Sequence, residues 1–348
     1  MSGSTSFKIL GEDKHGNWFA IVNTKILNQF NIALERVIVQ FEAPCEIAFS
    51  ADGEYLASGG RISAVIYDIG TGQKIGPFVE NKGIFSDEYL NSTPPLRRNF
   101  MRGSRCVSVN GNCLATGGDD GIIKLWDVKR EEATGELQGH AASIVKIEVS
   151  ADGKNLLSSS QDCKVIYWDL ERQIKLFELS INQGAPKSLA VSPNGNLLAA
   201  AGFGTYDTET AREVLVWNTN GKVVAILETV RASEFVEFSP DGSQLFAGSS
   251  YTGASDLWEF DRQVKENGGW RSKSPKLGSW GGWHALSWHS DGPWALSEGN
   301  YGCKVFNVMS GQPLFHLEVP SEPMSMSFFG ILIEKSLKWR MLHKTGVD

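Results

Sequence analysis

Cysteine is scarce in this 348-residue chain, and what there is cannot be grouped. The five cysteines, Cys45, Cys106, Cys113, Cys163 and Cys303, are scattered and form no C-x-x-C pair. That excludes a zinc knuckle or a dithiol redox motif, and an odd, dispersed set reads as reduced thiols in an intracellular compartment. Long apolar runs are also missing, in the opening MSGSTSFKILGEDKHG as later, so no stretch could span a bilayer; the expectation is a soluble chain with no membrane partner. Positive charge is in deficit, with 33 basic against 40 acidic side chains and a net charge of −7. A broad phosphate-binding surface is therefore not expected, and with it no direct contact to nucleic acid. The sequence has no G-x-x-x-x-G-K-S/T loop, H-E-x-x-H helix or G-x-S-x-G elbow. No catalytic residue, metal ligand or cofactor is assigned, and the chain is read as a non-enzyme.

What the chain does have is a repeat. From Gly135 to Asp169 it reads GELQGHAASIVKIEVSADGKNLLSSSQDCKVIYWD. An alternating run, Ile144 to Val149, ends at the turn Ala151-Asp152-Gly153; a second run reaches Gln161-Asp162; a third closes on Trp168-Asp169. Period-two alternation between Asp-Gly turns predicts short antiparallel strands. Similar turns recur at Ser50-Ala51-Asp52-Gly53, Val109-Asn110-Gly111, Ser192-Pro193-Asn194-Gly195, Ser239-Pro240-Asp241-Gly242 and Ser290-Asp291-Gly292. Matching strand ends stand at Tyr67-Asp68, Trp126-Asp127, Trp217-Asn218, Trp258-Glu259 and Phe306-Asn307. A Gly-His opening and a Trp-Asp close, in a unit that recurs about every 40 residues, are the mark of the WD-repeat blade. The pattern implies an all-β, seven-bladed WD-repeat β-propeller. Its last blade, from Met324 to about Trp339, is abbreviated or degenerate. In such repeats a histidine, a hydroxyl, a turn aspartate and the tryptophan form a hydrogen-bonded row; the matching residues are His140, Ser158, Asp162 and Trp168. Their role is read as structural, since buried indole and hydroxyl groups need partners.

The expected organisation is a flexible N-terminus over 1–17, a propeller over 18–340 and a C-terminal tail over 341–348. A long loop, 80–104, is inserted after the first blade; it is polar and contains Pro94-Pro95. The run Arg36 to Phe41 is expected to add an outer strand to the last blade, a closure that hides sheet edges. A second insertion, Gly204 to Arg212, lengthens a hairpin of the fourth blade. The turn Gly117-Gly118-Asp119-Asp120-Gly121 is read as a tight turn and not a cation site. Trp280 and Trp283 fall on a loop, where exposed aromatics can anchor a partner.

Three features go beyond the general blade pattern. They are the lead-in NWFAIVNTKILNQFNIALERV, an irregular first blade with Gly59-Gly60-Arg61-Ile62-Ser63-Ala64 and Tyr67 in place of tryptophan, and the long loop after that blade. In these the chain resembles the C-terminal propeller of fungal Tup-family, Groucho-like transcriptional corepressors. The resemblance implies a nuclear, non-catalytic interaction platform whose protein partners are DNA-bound repressors and chromatin factors. It places the partner-binding face at Met101, Asp119, Ser143, Val145, Gln161, Lys187, Glu234, Tyr251, His284 and Met324. The family's N-terminal oligomerisation segment has no counterpart here, since no 3.5-residue heptad occurs. The blade pattern alone equally fits a generic WD-repeat scaffold or a ubiquitin-ligase substrate adaptor, because propeller function lives in surface sites.

Overall fold

A single turn design recurs through the chain. Ser50, Ser150, Ser192 and Ser239 each accept a backbone N–H five residues on, at 2.9 Å, from Tyr55, Asn155, Leu197 and Gln244. Each hydroxyl also bonds the side chain two residues on, Asp52, Asp152, Asn194 or Asp241. The next residue is a glycine with φ of 71–73°, namely Gly53, Gly153, Gly195 and Gly242. Only glycine adopts that region without strain. The motif reverses the chain tightly and joins the first strand of a sheet to the second.

In this computed structural model, residues 46–50, 52–60, 63–79, 106–181, 184–202, 212–229, 233–248, 255–261 and 269–272 are described, together with backbone strands at 7–10, 19–23, 31–32, 285–288, 294–299, 302–307, 313–318, 330–333 and 338–342. Met101, Tyr251, His284, Met324, Trp280, Trp283, the run 36–41 and the loop 80–104 lie outside the described residues.

Regular structure among the described residues is almost all strand. Five sheets are four-stranded antiparallel meanders in chain order. Sheet I comprises Glu46–Phe49, Tyr55–Gly59, Ser63–Asp68 and Lys74–Val79. Sheet II comprises Cys106–Asn110, Cys113–Gly117, Ile123–Asp127 and Glu132–Leu137. Sheet III comprises Ile144–Val149, Asn155–Ser160, Lys164–Asp169 and Ile174–Ser180. Sheet IV comprises Ser188–Val191, Leu197–Ala201, Glu213–Asn218 and Val223–Glu228. Sheet V comprises Phe235–Phe238, Gln244–Gly248, Ser255–Phe260 and Trp270–Ser272. Each meander has the strand order of a WD-repeat propeller blade.

The residue after the WD-type aromatic ends the third strand and caps the turn into the fourth. Asp68, Asp127 and Asp169 accept the backbone N–H three residues on, from Thr71, Arg130 and Arg172, at 2.7–2.8 Å. Asn218 accepts from Lys222 at 3.0 Å. In sheets II, III and IV the pairing of third and fourth strands slips by one residue just before Trp126, Trp168 and Trp217. Such a bulge re-aims the side chain that follows it. All three indoles are buried, at 1–4% exposure.

The chain divides into two compact units, Glu42–Val191 with Thr219–Gly221, and the remainder. The first unit holds sheets I to III. Its core includes a cluster between sheets I and II (Ala57, Ile66, Phe78, Val107, Leu114, Trp126) and one between sheets II and III (Cys106, Leu125, Ile144, Ile147, Leu156, Trp168). Phe78 meets Trp126 edge-on at 5.7 Å, a favoured aromatic geometry. The second unit holds a six-stranded sheet ordered Phe7–Leu10, Phe19–Asn23, Pro313–Glu318, Gly302–Asn307, Trp294–Gly299, Ala285–Trp288. Four of these strands form a sixth meander. The other two come from the N-terminal region, Phe19–Asn23 pairing directly with Pro313–Glu318. Phe7–Leu10, in the stretch read from composition as flexible, forms a strand against Phe19–Asn23. Both segments, FKIL and FAIVN, are short and largely apolar, as strand sequences often are. A three-stranded sheet joins Gly330–Ile333, Lys338–Leu342 and Asn31–Ile32.

Candidate functional site

Sheet III brings together the four residues of its polar row. The Trp168 Nε1–H donates to the Ser158 hydroxyl at 2.8 Å. That hydroxyl lies 2.8 Å from His140 Nε2, and His140 Nδ1 lies 3.0 Å from Asp162 Oδ2. Asp162 further accepts backbone N–H groups of Ala141 at 2.8 Å and Lys164 at 3.0 Å. One proton arrangement satisfies the row: the indole donates to the serine, the serine to Nε2, and Nδ1–H to the carboxylate. The row ties the segment before the first strand to the second strand, the following turn and the third strand.

Electrostatics agree with a neutral imidazole. Burial pushes the His140 pKa below its ordinary 6.5, and the Asp162 hydrogen bond and charge only partly oppose this. Asp162 is held below 3.8: burial raises it, but the Ala141 N–H, His140 and the Lys164 N–H together outweigh that. The Ser158 hydroxyl is fully buried and the His140 side chain has no exposed surface. The serine and the histidine in that state offer no surface to a substrate. Sheet II keeps only a remnant of the row, Trp126 Nε1–H donating to Thr116 Oγ1 at 3.0 Å.

At the end of sheets II and III where His140 sits, three of the residues expected on the partner-binding face meet. The Ser143 hydroxyl donates to Asp119 Oδ1 at 2.7 Å, and the Gln161 N–H donates to the Ser143 carbonyl at 2.9 Å. Ile144 N–H donates to Gly118 O at 2.9 Å, joining the two sheets. The turn containing Asp119 is tight: Gly121 has φ 76°, and Asp120 Oδ1 accepts the Ile122 N–H at 3.0 Å. Gln161 and Lys187 are exposed, while Asp119, Ser143 and Val145 are half-buried. Lys187 follows Pro186, whose carbonyl accepts from Ser159 Oγ at 2.9 Å. Glu234, in the other unit, is half-buried just before the first strand of sheet V, its N–H donating to Gly248 O at 2.8 Å. Among the described residues no group of acids, histidines and cysteines is arranged to hold a metal ion, and no helix is long and apolar enough to cross a membrane.

The sequence reading missed a charged group on the first strands. Lys146 of sheet III forms an ion pair with Glu46 of sheet I. The other oxygen of Glu46 accepts the Val107 N–H of sheet II at 3.0 Å. Glu148 lies two residues beyond Lys146, on the same strand face. The signal was present as charged residues alternating with apolar ones in IVKIEV, a pattern that otherwise reads as a strand with a solvated face.

The WD domain, G-beta repeat family pattern matches residues 102–127 and 131–169. The chain carries WD repeats. The two matches fall on sheets II and III, where the Trp-Asp ends and the polar row are best formed. The chain is also similar to transcriptional corepressors. It is 31% identical over 134 residues to the general transcriptional corepressor tupA of Dictyostelium discoideum, covering 38% of this chain and 21% of the relative. It is 32% identical over 132 residues to the transcriptional repressor rco-1 of Neurospora crassa, covering 38% and 20%. It is 25% identical over 162 residues to the transcription factor unc-37 of Caenorhabditis elegans, covering 47% and 26%. The chain thus spans about a fifth to a quarter of the length of these relatives.

Proposed function

We propose that this WD-repeat chain is a non-catalytic docking platform of the corepressor type, acting in the nucleus on DNA-bound repressors and chromatin factors. The observation that carries the reading is the similarity to corepressors, taken with the meeting of Asp119, Ser143 and Gln161 at one end of the two sheets that the WD-repeat pattern matches. Their arrangement suits binding. The loops are pinned by hydrogen bonds, so side chains at the sheet ends are held before a partner arrives and little ordering entropy is lost on docking. Ser143 is bonded to Asp119, and Gln161 and Lys187 are exposed, where a partner can reach them. The net charge of −7 favours partners bound through protein contacts over binding to DNA phosphates.

The purified chain, used as bait in nuclear extract, is expected to retain DNA-binding repressors and to lose them on Lys187→Glu, with an unchanged circular dichroism spectrum. A Tyr251→Ala variant tests the sequence-assigned part of the same face. Retention of cullin-type ligase subunits in place of repressors would favour the adaptor reading.

A further inference from the structure

The outer strands of sheets I, II and III each carry a bulge. In sheets II and III the pairing of third and fourth strands skips one residue, Thr134 and Leu176; in sheet I the skipped stretch includes Gly76. A skipped residue stands outside the ladder, so its backbone groups must be satisfied by other means. In sheets I and II a side chain from the turn of the following sheet does this. Gly76 N–H donates to Glu131 Oε2 at 3.2 Å, and the Gln173 carboxamide donates to Thr134 O at 3.2 Å. The same carboxamide fills the space that a Cβ on Gly135 would need. Glu131 and Gln173 are equivalent residues. Each stands two positions before the strand partner of a tryptophan, Ala133 for Trp126 and Lys175 for Trp168. Both are left-handed, with φ of 54° and 55°.

At Leu176 the series breaks. The residue two positions before Val223, the strand partner of Trp217, is Gly221, left-handed at φ 77°. It lies against the outer strand of sheet III, where an added Cβ would be 3.3 Å from the Phe177 ring, but it has no side chain to extend to the bulge. Beyond the pairing with Lys164–Asp169, no hydrogen bond reaches the backbone of Ile174–Ser180 among the described residues. The side chains change at the same place. By their pairing, Ile174 and Leu176 stand where sheet II has Glu132 and Thr134, and they are 48% and 46% exposed. The charges of this strand are met within the sheet: Lys175 pairs with Glu178 at 2.5 Å, and Glu178 pairs with Lys164. What stays open is the backbone at a bulge, flanked by two exposed apolar side chains. A bulge and an edge lysine both oppose the addition of a whole strand, so the site suits a side chain.

We propose that the outer edge of sheet III at Leu176 is a second docking site, which accepts a glutamine side chain, with an apolar residue beside it, from a turn of a partner protein. Sheets I and II show the chemistry that fits such a bulge. Glutamine offers both a donor and an acceptor, so it can meet an outward carbonyl, as at Thr134, or an outward N–H, as at Gly76. The apolar neighbour covers Ile174 and Leu176 and removes their surface from water. The site lies on a different strand from Asp119, Ser143 and Gln161, and it does not rest on the corepressor reading.

A cyclic peptide of residues 169–174, DLERQI, presents such a glutamine beside an isoleucine. Titrated into the 15N-labelled full chain, it is expected to shift the amide resonances of residues 174–178 saturably. The same peptide with Gln173→Ala is expected to lose those shifts. A chain carrying Ile174→Glu and Leu176→Thr, the residues of sheet II, is expected to lose them as well while keeping the wild-type melting temperature, since both positions are exposed. No saturable shift at 174–178, equal shifts with the alanine peptide, or undiminished binding by the double variant would each overturn the proposal.

Discussion

At His140, burial and hydrogen bonding pull in opposite directions, and burial prevails. An imidazole enclosed among Trp168, Ser158 and Asp162 stays neutral and passes a continuous chain of donors to the Asp162 carboxylate. Asp162→Ala removes the acceptor for Nδ1–H and for two backbone N–H groups at once. Its cost is expected to be about 1–3 kcal/mol of stability, measured by chemical denaturation, since each stranded buried donor is penalised. The pH dependence follows from the direction of the shifts. The folded-state pKa of His140 lies below 6.5 and that of Asp162 below 3.8. Stability from the histidine is complete above pH 6.5 and is lost as pH falls from there through its lower folded-state pKa; the aspartate's is complete above pH 3.8 and is lost in the same way below it. His140→Gln is expected to flatten the first of these steps in a melting-temperature titration. An unchanged profile would contradict a neutral buried imidazole.

At the scale of the element, the recurring serine-to-glycine turn was legible in the sequence because it is local: serine, acid or amide, then glycine fix it within five residues. The four-stranded meanders of sheets I to V follow from the same spacing. The bulges before Trp126, Trp168 and Trp217 were not legible, since a one-residue slip leaves no composition mark and is set by how the indole must enter the core. The Glu46–Lys146 pair joins residues a hundred positions apart, and no local pattern announces it. Nor did the polar sequence around Phe7–Leu10 reveal a strand, because its partner is supplied by the next segment. Two glycine turns separate conformational cost from steric cost. Gly153 has φ 71° and meets only an Asn110 side-chain nitrogen, at 3.6 Å from a built Cβ. Gly153→Ala is expected to cost about 1–2 kcal/mol for the left-handed backbone alone. At Gly121, φ 76°, a Cβ would lie 2.8 Å from the Ala142 carbonyl oxygen and 3.0 Å from that of His140. Gly121→Ala is expected to cost more than Gly153→Ala in the same urea titration, because backbone atoms must also move.

For the molecule as a whole, the docking reading makes a spatial claim. In sheet III, Gln161 lies at the same end as Ser143, whereas Glu171 lies in the turn at the opposite end of the strands, beyond Asp169. Both residues are exposed. A photo-crosslinking residue placed singly at each position, with adducts from nuclear extract identified by mass spectrometry, therefore distinguishes one end of the sheet from the other. Adducts to DNA-binding repressors are expected from position 161 and not from 171, and are expected to disappear when Lys187→Glu is added. Equal adducts from both positions, or adducts at 161 that are indifferent to Lys187→Glu, would contradict a docking face at the Asp119–Ser143–Gln161 end.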